Sequence, residues 1–167
     1  MVSKQKVSVA DSVQRKVVIL RGVSGSGKST YTAKHCAGAL VCSADNFFTE
    51  VVGEGKGYVF DAKRLGEAHS WCMQKFIRAV THMDPIARAA LVVVDNTNLQ
   101  LWEFMGYYQV ASAMGYTVEV VRMDTPARIA GARNLHGVPV GKVVDMERRM
   151  QNIPPFLGLR ETVVKGY

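Results

Sequence analysis

The sequence predicts an α/β fold built on a mostly parallel sheet of four or five strands. Short apolar runs alternate along the chain with longer amphipathic segments, which is the pattern of strands connected by helices. The first run, residues 17–20, is apolar without a break, as expected for a strand covered on both faces. The chain has 167 residues, 48% of them hydrophobic, which is enough for one domain with a full core.

The order of the elements follows from these runs and from the turn residues between them. We predict strands at residues 17–21, 40–42, 91–94 and 117–122. A helical stripe of apolar residues runs from Leu65 to Val80. Two further helices are predicted over residues 29–37 and 143–150. Another should begin after Thr97 or Asn98 as its N-cap, and one more should begin at Thr125-Pro126. We predict that residues 1–16 are a flexible segment, 17–153 the domain and 154–167 a C-terminal tail.

Residues 22–30 read G-V-S-G-S-G-K-S-T and match the phosphate-binding pattern G-x-x-x-x-G-K-[ST]. The motif follows the first strand and precedes a helix, so backbone N–H groups and the helix dipole can face an anion. Glycines allow the backbone to approach that anion closely. The motif predicts a P-loop NTPase three-layer fold that binds ATP through Gly22, Ser24, Gly25, Ser26, Gly27, Lys28, Ser29 and Thr30.

Three residues are expected to serve the phosphates and the metal ion. Lys28 supplies a positive charge near the β- and γ-phosphates, and the Ser29 hydroxyl suits Mg²⁺. Asp95 ends the third apolar run, as an aspartate does in a Walker B strand, and can hold Mg²⁺ through water. The alternative is that Asp95, Asn96 and Asn98 organise the turn into the next helix. We expect Asn96 and Asn98 to help position a substrate.

Asp45 follows the second predicted strand. Ligands of open α/β sheets bind beyond the carboxyl ends of the strands, so Asp45 and Asp95 are both expected near the γ-phosphate. A carboxylate there can orient an attacking hydroxyl and take its proton. An aspartate in this position can equally cap a turn or a helix, and the spacing alone does not decide between the two interpretations.

The segment 128–149 has the basic side chains that a lid over the phosphates would need. An arginine on such a lid can stabilise charge on a transferring phosphoryl group. Arg133 is favoured because it borders a loop with Gly137 and Pro139, and Arg128 is expected to contact the nucleotide. A solvated helix face is the alternative for each arginine. For Arg148 and Arg149 we prefer that alternative or a contact with a nucleic-acid backbone.

Composition limits the compartment and the partners. The formal net charge of +7 favours nucleic acid as a partner. No apolar run is long enough to span a membrane, and no N-terminal apolar stretch indicates secretion. The three cysteines form no C-x-x-C pair and predict free, buried thiols in a reducing compartment. We therefore expect an intracellular protein, cytoplasmic or nuclear, with a mitochondrial location left open.

Several strings resemble the P-loop polynucleotide 5′-hydroxyl kinase family, over roughly residues 17–150. They are S-A-D-N-F-F at 43–48, Y-x-F-D at 58–61, A-H at 68–69, V-D-N-T-N-L at 94–99 and R-N-x-H-G-V-P at 133–139. The pattern is most similar to that of small stand-alone kinase-like proteins related to a ubiquitin-ligase binding partner. Phage polynucleotide kinase and the kinase module of fungal-type tRNA ligases are more distant in pattern.

The resemblance implies transfer of the ATP γ-phosphoryl group to the 5′-hydroxyl of RNA or DNA. It implies that Asp45 is the general base, that Lys28 and Ser29 serve the nucleotide and its metal, and that Arg133 is the lid arginine. In the phage enzyme an arginine three residues after the base holds the acceptor, whereas this chain has Phe48. Phe47 or Phe48 can stack on a base of the acceptor instead, or Phe48 can pack in the core.

Two other functions remain open at this point. A P-loop kinase for a nucleoside, sugar or metabolite fits the size and the loop equally well, and the phenylalanine at position 48 mildly favours it. A nucleotide-dependent interaction module without catalysis is the third possibility, although the complete set of loop and lid residues speaks against it.

Overall fold

The computed structural model describes residues 14–84 and 87–165, and its centre is one sheet of five parallel strands. The order across the sheet is β2-β3-β1-β4-β5. The strands are β1 (Lys16–Arg21), β2 (Leu40–Cys42), β3 (Leu91–Asp95), β4 (Thr117–Asp124) and β5 (Glu161–Lys165). The predicted α/β class and the parallel sheet are confirmed. Most of the N-terminal segment predicted to be flexible, residues 1–13, lies outside the described residues.

Six α-helices connect or follow these strands in the described part of the chain. They are α1 (Lys28–His35), α2 (Ala44–Phe47), α3 (Leu65–Thr81), α4 (Leu101–Ala113), α5 (Ala127–Arg133) and α6 (Val140–Arg149). A π-helical turn, Phe48–Val52, continues α2, and short 3-10 turns lie at Ala62–Arg64 and Pro155–Leu157. None of the helices in the described ranges is long and apolar enough to cross a membrane.

Two of the predicted helix caps are wrong. The Thr125 hydroxyl does not cap α5 and instead donates to the carbonyl oxygen of Ser26, at 2.9 Å. Asn98 has a backbone φ of 47° and donates from Nδ2 to the Leu20 carbonyl at 2.7 Å, so α4 begins three residues later at Leu101. In both places a contact with the phosphate loop or its strand replaces the local cap.

Alternate side chains of the central strand face opposite layers, which gives the three-layer arrangement. Val17 and Ile19 pack with Phe76 of α3 and Phe104 of α4 in the larger cluster. On the other face, Val18 and Leu20 pack in a second cluster with Cys36, Val121 and Met123. Cys36, Cys42 and Cys72 are buried and free, as predicted.

The C-terminal segment expected to be a tail contributes β5 to the sheet. This strand pairs in parallel with β4, with Val121 opposite Thr162 and Met123 opposite Val164. Thr162 and Val163 are exposed and both ends of the strand are charged, so no buried run marked it in the sequence. Glu161, its first residue, forms an ion pair with the fully buried Arg21 at the end of β1.

Arg21 joins four parts of the chain through its buried guanidinium. It donates to the carbonyls of Asn98 at 2.8 Å, Leu99 at 3.0 Å and Gln151 at 2.7 Å. The guanidinium also lies 4.8 Å from the ring centroid of Phe104. Burial lowers the pKa of Arg21, although Glu161 opposes that shift. Because Arg21 directly precedes Gly22, this network fixes the start of the phosphate loop.

Candidate active site

The phosphate loop, residues 22–29, joins β1 to the start of α1. Gly22, Gly25 and Gly27 have φ values of 151°, 76° and 100°, which side-chain-bearing residues rarely adopt. A Cβ on Gly22 would come within 2.6 Å of Ser26 Oγ, and one on Gly25 would overlap the Ala130 carbonyl of α5. The loop is therefore closed in a way that only glycine permits at these positions, which fits the cradle that a nucleotide phosphate requires.

Lys28, Ser29 and Asp95 form the centre of the site. Lys28 Nζ donates to the carbonyls of Gly22 and Val23, both at 3.0 Å, and Ser29 Oγ donates to Asp95 Oδ2 at 3.0 Å. Burial lowers the pKa of Lys28 and raises that of Asp95, while the attraction between the two groups opposes both shifts. A hydroxyl and a carboxylate oxygen in contact are ligands of the kind that Mg²⁺ prefers, so the two side chains fit the expected metal.

Asp45 lies in the first turn of α2, and its backbone N–H donates to Ser43 Oγ at 3.3 Å. Its carboxylate is 53% exposed. It accepts a hydrogen bond from the Tyr58 hydroxyl at 3.2 Å, and His136 Nε2 lies 3.7 Å from its other oxygen. The charge of Asp45 acts to raise the pKa of both Lys28 and Asp95. The carboxylate is thus open to solvent and close enough to the phosphate loop to affect its charges.

Asn96 and Asn98 are both buried, at 7% and 1% exposure, and their side chains contact the protein. Asn96 Oδ1 accepts from the Ala44 backbone N–H at 2.8 Å, and its Nδ2 lies 3.5 Å from Cys72 Sγ. Asn98 holds the Leu20 carbonyl, as described above. Asn96 therefore fixes α2, which carries Asp45, and Asn98 fixes the end of β1; that they help to position a substrate stays a prediction.

The lid, residues 127–149, comprises α5, the connecting residues 134–139 and α6. Arg133 lies at the end of α5 and reaches the phosphate loop, donating to the Gly25 carbonyl at 2.9 Å and to that of Ser26 at 3.4 Å. Asn134 closes the connecting turn with three hydrogen bonds to Gly131 and Val138, of 2.7 to 2.9 Å. The lid is therefore fastened directly to the loop, and its turn places His136 beside Asp45.

Arg128 lies on the outer part of the lid. It is exposed and lines a groove of about 850 Å³ between α5 and α6. Lys142 and Arg148 line the same groove, together with Asp145, which pairs with Arg148 at 3.3 Å. Arg149 is exposed at the end of α6. These side chains form a basic surface on the lid.

Phe47 and Phe48 are buried, at 1% and 0% exposure. They pack with Ala44, Ala68 and Trp71, and the two rings meet edge to face at 5.4 Å between centroids. The interpretation that either ring stacks on a base is therefore wrong, and the core alternative is correct. The reason is local: α2 runs straight into the π-helical turn, which directs both rings at α3.

Tyr58 and His136 are the site residues that the sequence interpretation missed. Both lie within the strings that carry the family resemblance, but neither follows a strand or belongs to a phosphate-binding motif. Burial and the neighbouring Asp45 raise the pKa of Tyr58 to about 12, so its hydroxyl stays protonated and donates to the carboxylate. Their rings stack on each other with centroids 4.5 Å apart and planes tilted by 38°.

A parallel sheet with a glycine-built phosphate loop after its central strand defines a P-loop domain with a kinase-like fold. The chain belongs to the AAA domain family AAA_33, whose family model matches residues 17–136. Human NEDD4-binding protein 2 is 32% identical over 163 residues, an alignment that takes 88% of this chain and 9% of that protein. The chain thus spans less than a tenth of the length of that relative.

Solved structures share the fold at low identity. A gluconokinase from Sinorhizobium meliloti 1021 has a TM-score of 0.57 at 15% identity, over 91% of this chain and 84% of the other. A chain of the Pnkp1/Rnl/Hen1 complex has a TM-score of 0.53 at 18% identity, over 72% of this chain and 39% of the other. At these identities the likeness concerns the fold alone.

Proposed function

We propose that this domain is a kinase that transfers the γ-phosphoryl group of ATP to the 5′-hydroxyl of a polynucleotide, RNA or DNA. The observation that carries the proposal is the position of Asp45. Its half-exposed carboxylate contacts His136 of the lid, whose Arg133 donates to the phosphate loop, and its charge acts on Lys28 and Asp95. A carboxylate so arranged has access both to the terminal phosphate and to an incoming alcohol, as a general base for phosphoryl transfer requires.

The 5′-oxygen forms a bond to the γ-phosphorus while the bond from that phosphorus to the β,γ-bridging oxygen breaks, and ADP leaves. The hydroxyl proton passes to the carboxylate of Asp45, to which the Tyr58 hydroxyl donates, while Ser43 Oγ accepts from the backbone N–H of the same residue. Lys28, Arg133 and the loop N–H groups stabilise the negative charge on the phosphate oxygens.

Ser29 and Asp95 are the residues that would hold Mg²⁺, the hydroxyl directly and the carboxylate through water. When bound, the ion neutralises charge on the phosphate oxygens. The hydrogen bond between these two side chains, at 3.0 Å, orients both oxygens toward each other before any ion is present. Thr30, Ser24 and Arg128 complete the proposed nucleotide contacts.

Charge supports a polynucleotide as the acceptor. The chain carries a net charge of +7, and the lid presents Arg128, Lys142 and Arg148 along one groove. Basic surfaces of this kind attract the phosphate backbone and supply affinity without sequence preference. The strings that resemble 5′-hydroxyl kinases include Asp45 and the lid arginine.

A small-molecule kinase is the second candidate, and one observation favours it. Phe48 takes the place of the acceptor arginine in the resembled family, and its complete burial means that it cannot hold a phosphate of a nucleic acid. A nucleoside, sugar or metabolite would not need that contact.

The test of the proposal is transfer of label from ATP to 5′-hydroxyl oligonucleotides by the wild-type domain and by Asp45→Asn. We expect the substitution to reduce transfer by about 10² to 10⁴-fold, the usual contribution of a general base. ATP binding should be unchanged, because asparagine removes the proton acceptor and keeps the shape. Initial rates and an equilibrium nucleotide-binding assay measure the two effects.

Glu119→Gln is the matched control, because Glu119 is also a partly exposed, ion-paired carboxylate but lies in the first half of β4, where it pairs with Lys16 at the start of β1. Its rate should stay at the wild-type value. Wild-type rates in Asp45→Asn would contradict the role of Asp45. Transfer to sugars or nucleosides, with none to RNA or DNA ends, would reject the polynucleotide and leave the second candidate.

A further inference from the structure

A row of exposed aromatic and apolar side chains lies next to Asp45. Tyr58, Val59 and Phe60 are 36%, 41% and 55% exposed in a segment without regular secondary structure. Three consecutive, mostly apolar side chains at the surface gain little from contact with water, whereas polar residues there would gain more. Rings exposed beside a reactive carboxylate therefore indicate a surface for binding a partner or substrate.

The segment packs on the buried ring of Phe48. The buried ring of Phe48 lies 6.1 Å from that of Tyr58 and 5.0 Å from that of Phe60, measured between centroids. The Val59 N–H donates to the Phe48 carbonyl at 3.1 Å. A Cβ on Gly53 would overlap the Gly57 carbonyl, so the turn before the segment closes tightly. The exposed side chains of this segment are thus supported by contacts with Phe48 and by the tight turn before them.

The row reaches the reactive group through Tyr58. Its hydroxyl contacts Asp45, and its ring stacks on the imidazole of His136, whose side chain is 40% exposed. We call His136, Tyr58 and Phe60, supported by Phe48, the aromatic platform. It begins at the carboxylate that is proposed to meet the acceptor hydroxyl and leads away from it across the surface.

We propose that the aromatic platform binds the bases at the 5′ end of a single-stranded nucleic acid by stacking, with the terminal hydroxyl at Asp45. The inference rests on the proposed function and names its acceptor more closely. Every base has a π-face, so stacking on rings gives affinity without sequence preference. The net charge of +7 complements the phosphates of such a strand. A paired 5′ end, whose bases are stacked on each other, would bind less well.

Equilibrium binding of 5′-hydroxyl oligonucleotides, DNA and RNA, with 2-aminopurine as the first or second base tests this inference. We expect quenching of the fluorophore by the wild-type domain. Phe60→Leu keeps the apolar contact with Phe48 but removes the exposed π-face, so it should weaken binding by about tenfold. Phe60→Trp should restore it. ATP affinity should not change in either variant.

Phe156→Leu is the control, since Phe156 is 86% exposed and lies before β5, at the opposite edge of the sheet from β2 and Asp45. Its binding should equal that of the wild type. The inference is overturned if Phe60→Leu binds as tightly as the wild type, or if an oligonucleotide with abasic sites at its first two positions does. In that case phosphate transfer to oligonucleotides by the wild type would leave the proposed function intact.

Failure of the proposed function has a different signature. It would appear as a wild-type domain that phosphorylates only small molecules and neither binds nor labels oligonucleotides, and that result would overturn the aromatic platform as well.

Discussion

Asp95 and Lys28 are two charged residues of the site whose burial lowers the stability of the fold. Burial makes the charged form of each less favourable, and the attraction between them does not fully compensate for it. Groups in such an environment cluster at functional sites. The site therefore holds two charges that burial alone would disfavour.

Asp95→Asn tests this at the residue scale. Because the folded-state pKa of Asp95 is raised, the folded chain binds its proton more tightly than the unfolded chain does. The contribution of Asp95 to the free energy of unfolding is therefore fully present below its ordinary pKa of about 4. It falls as the pH rises through the raised pKa of the folded state. We expect Asp95→Asn to have a higher free energy of unfolding than the wild type at pH 7, with the difference lost below about pH 4.

Urea unfolding at pH 7 and below about pH 4 measures this difference in stability. The same substitution should lower activity, because it removes a proposed Mg²⁺ ligand, and phosphoryl transfer at several Mg²⁺ concentrations measures that loss. Glu119→Gln, which removes a partly exposed charge far from the phosphate loop, should change neither stability nor activity by much. A variant less stable than the wild type at pH 7 would mean that the contacts of Asp95 with Lys28 and Ser29 outweigh its burial.

Residues of the phosphate loop were predictable because their chemistry depends on local spacing. Tyr58 and His136 were not, because their contact with Asp45 arises only when a loop and the lid fold back onto α2. The burial of Phe47 and Phe48 could not be predicted from the sequence either. A pair of adjacent aromatic residues can face solvent or core, and the π-helical turn that decides this has no sequence signature.

At the scale of elements, the contact between α5 and the phosphate loop is the main feature. Gly25 lies against the Ala130 carbonyl, and Arg133 and Thr125 both donate to carbonyls of the loop. The lid and the loop are therefore packed as one unit, and a change in one should be felt by the other.

Gly25→Ala tests this contact. The new methyl group would overlap the Ala130 carbonyl, and the residue would also be strained at a φ of 76°. We expect a loss of at least about 1 kcal/mol in the free energy of unfolding, from strain alone, and a larger loss of ATP affinity. Thermal unfolding and nucleotide binding measure the two effects.

Gly38→Ala separates strain from overlap, because Gly38 has a φ of 77° but nothing within 4 Å of the added Cβ. It should show only the smaller loss of stability, with normal ATP affinity. Equal losses in both variants would show that packing of α5 on the loop contributes nothing.

Strands buried on both faces were the most predictable elements, since a short, unbroken apolar run is typical of a strand inside a parallel sheet. The edge strand β5 was missed because Thr162 and Val163 face solvent. The four residues of α2 are too few to show helical periodicity. The start of α4 was misjudged because Asn98 bonds to β1, a tertiary contact that replaces the expected cap.

At the scale of the whole molecule, Arg21 links the sheet, the start of α4 and the chain after α6. We expect Arg21→Met to lower the free energy of unfolding by about 3 kcal/mol or more, because it leaves several carbonyls without a donor and Glu161 with Arg122 alone as its cation. Denaturant unfolding measures the loss. Arg160→Met, which changes an exposed arginine directly before β5, should stay within about 0.5 kcal/mol of the wild type.

A double variant with Glu161→Gln completes the test. If the ion pair matters, the two substitutions should be less than additive, since each removes the same interaction. Additive losses would mean that Arg21 stabilises the fold through the carbonyls and the Phe104 ring alone.

The pairing of Arg21 with Glu161 also sets the order of events during synthesis. The two residues are 140 positions apart, so a growing chain contains the phosphate motif long before it contains the counter-charge beneath it. Until Glu161 emerges from the ribosome, the Arg21 guanidinium lacks the carboxylate with which it forms its buried ion pair. A nascent chain should therefore acquire ATP binding late, when nearly all of the domain has been translated.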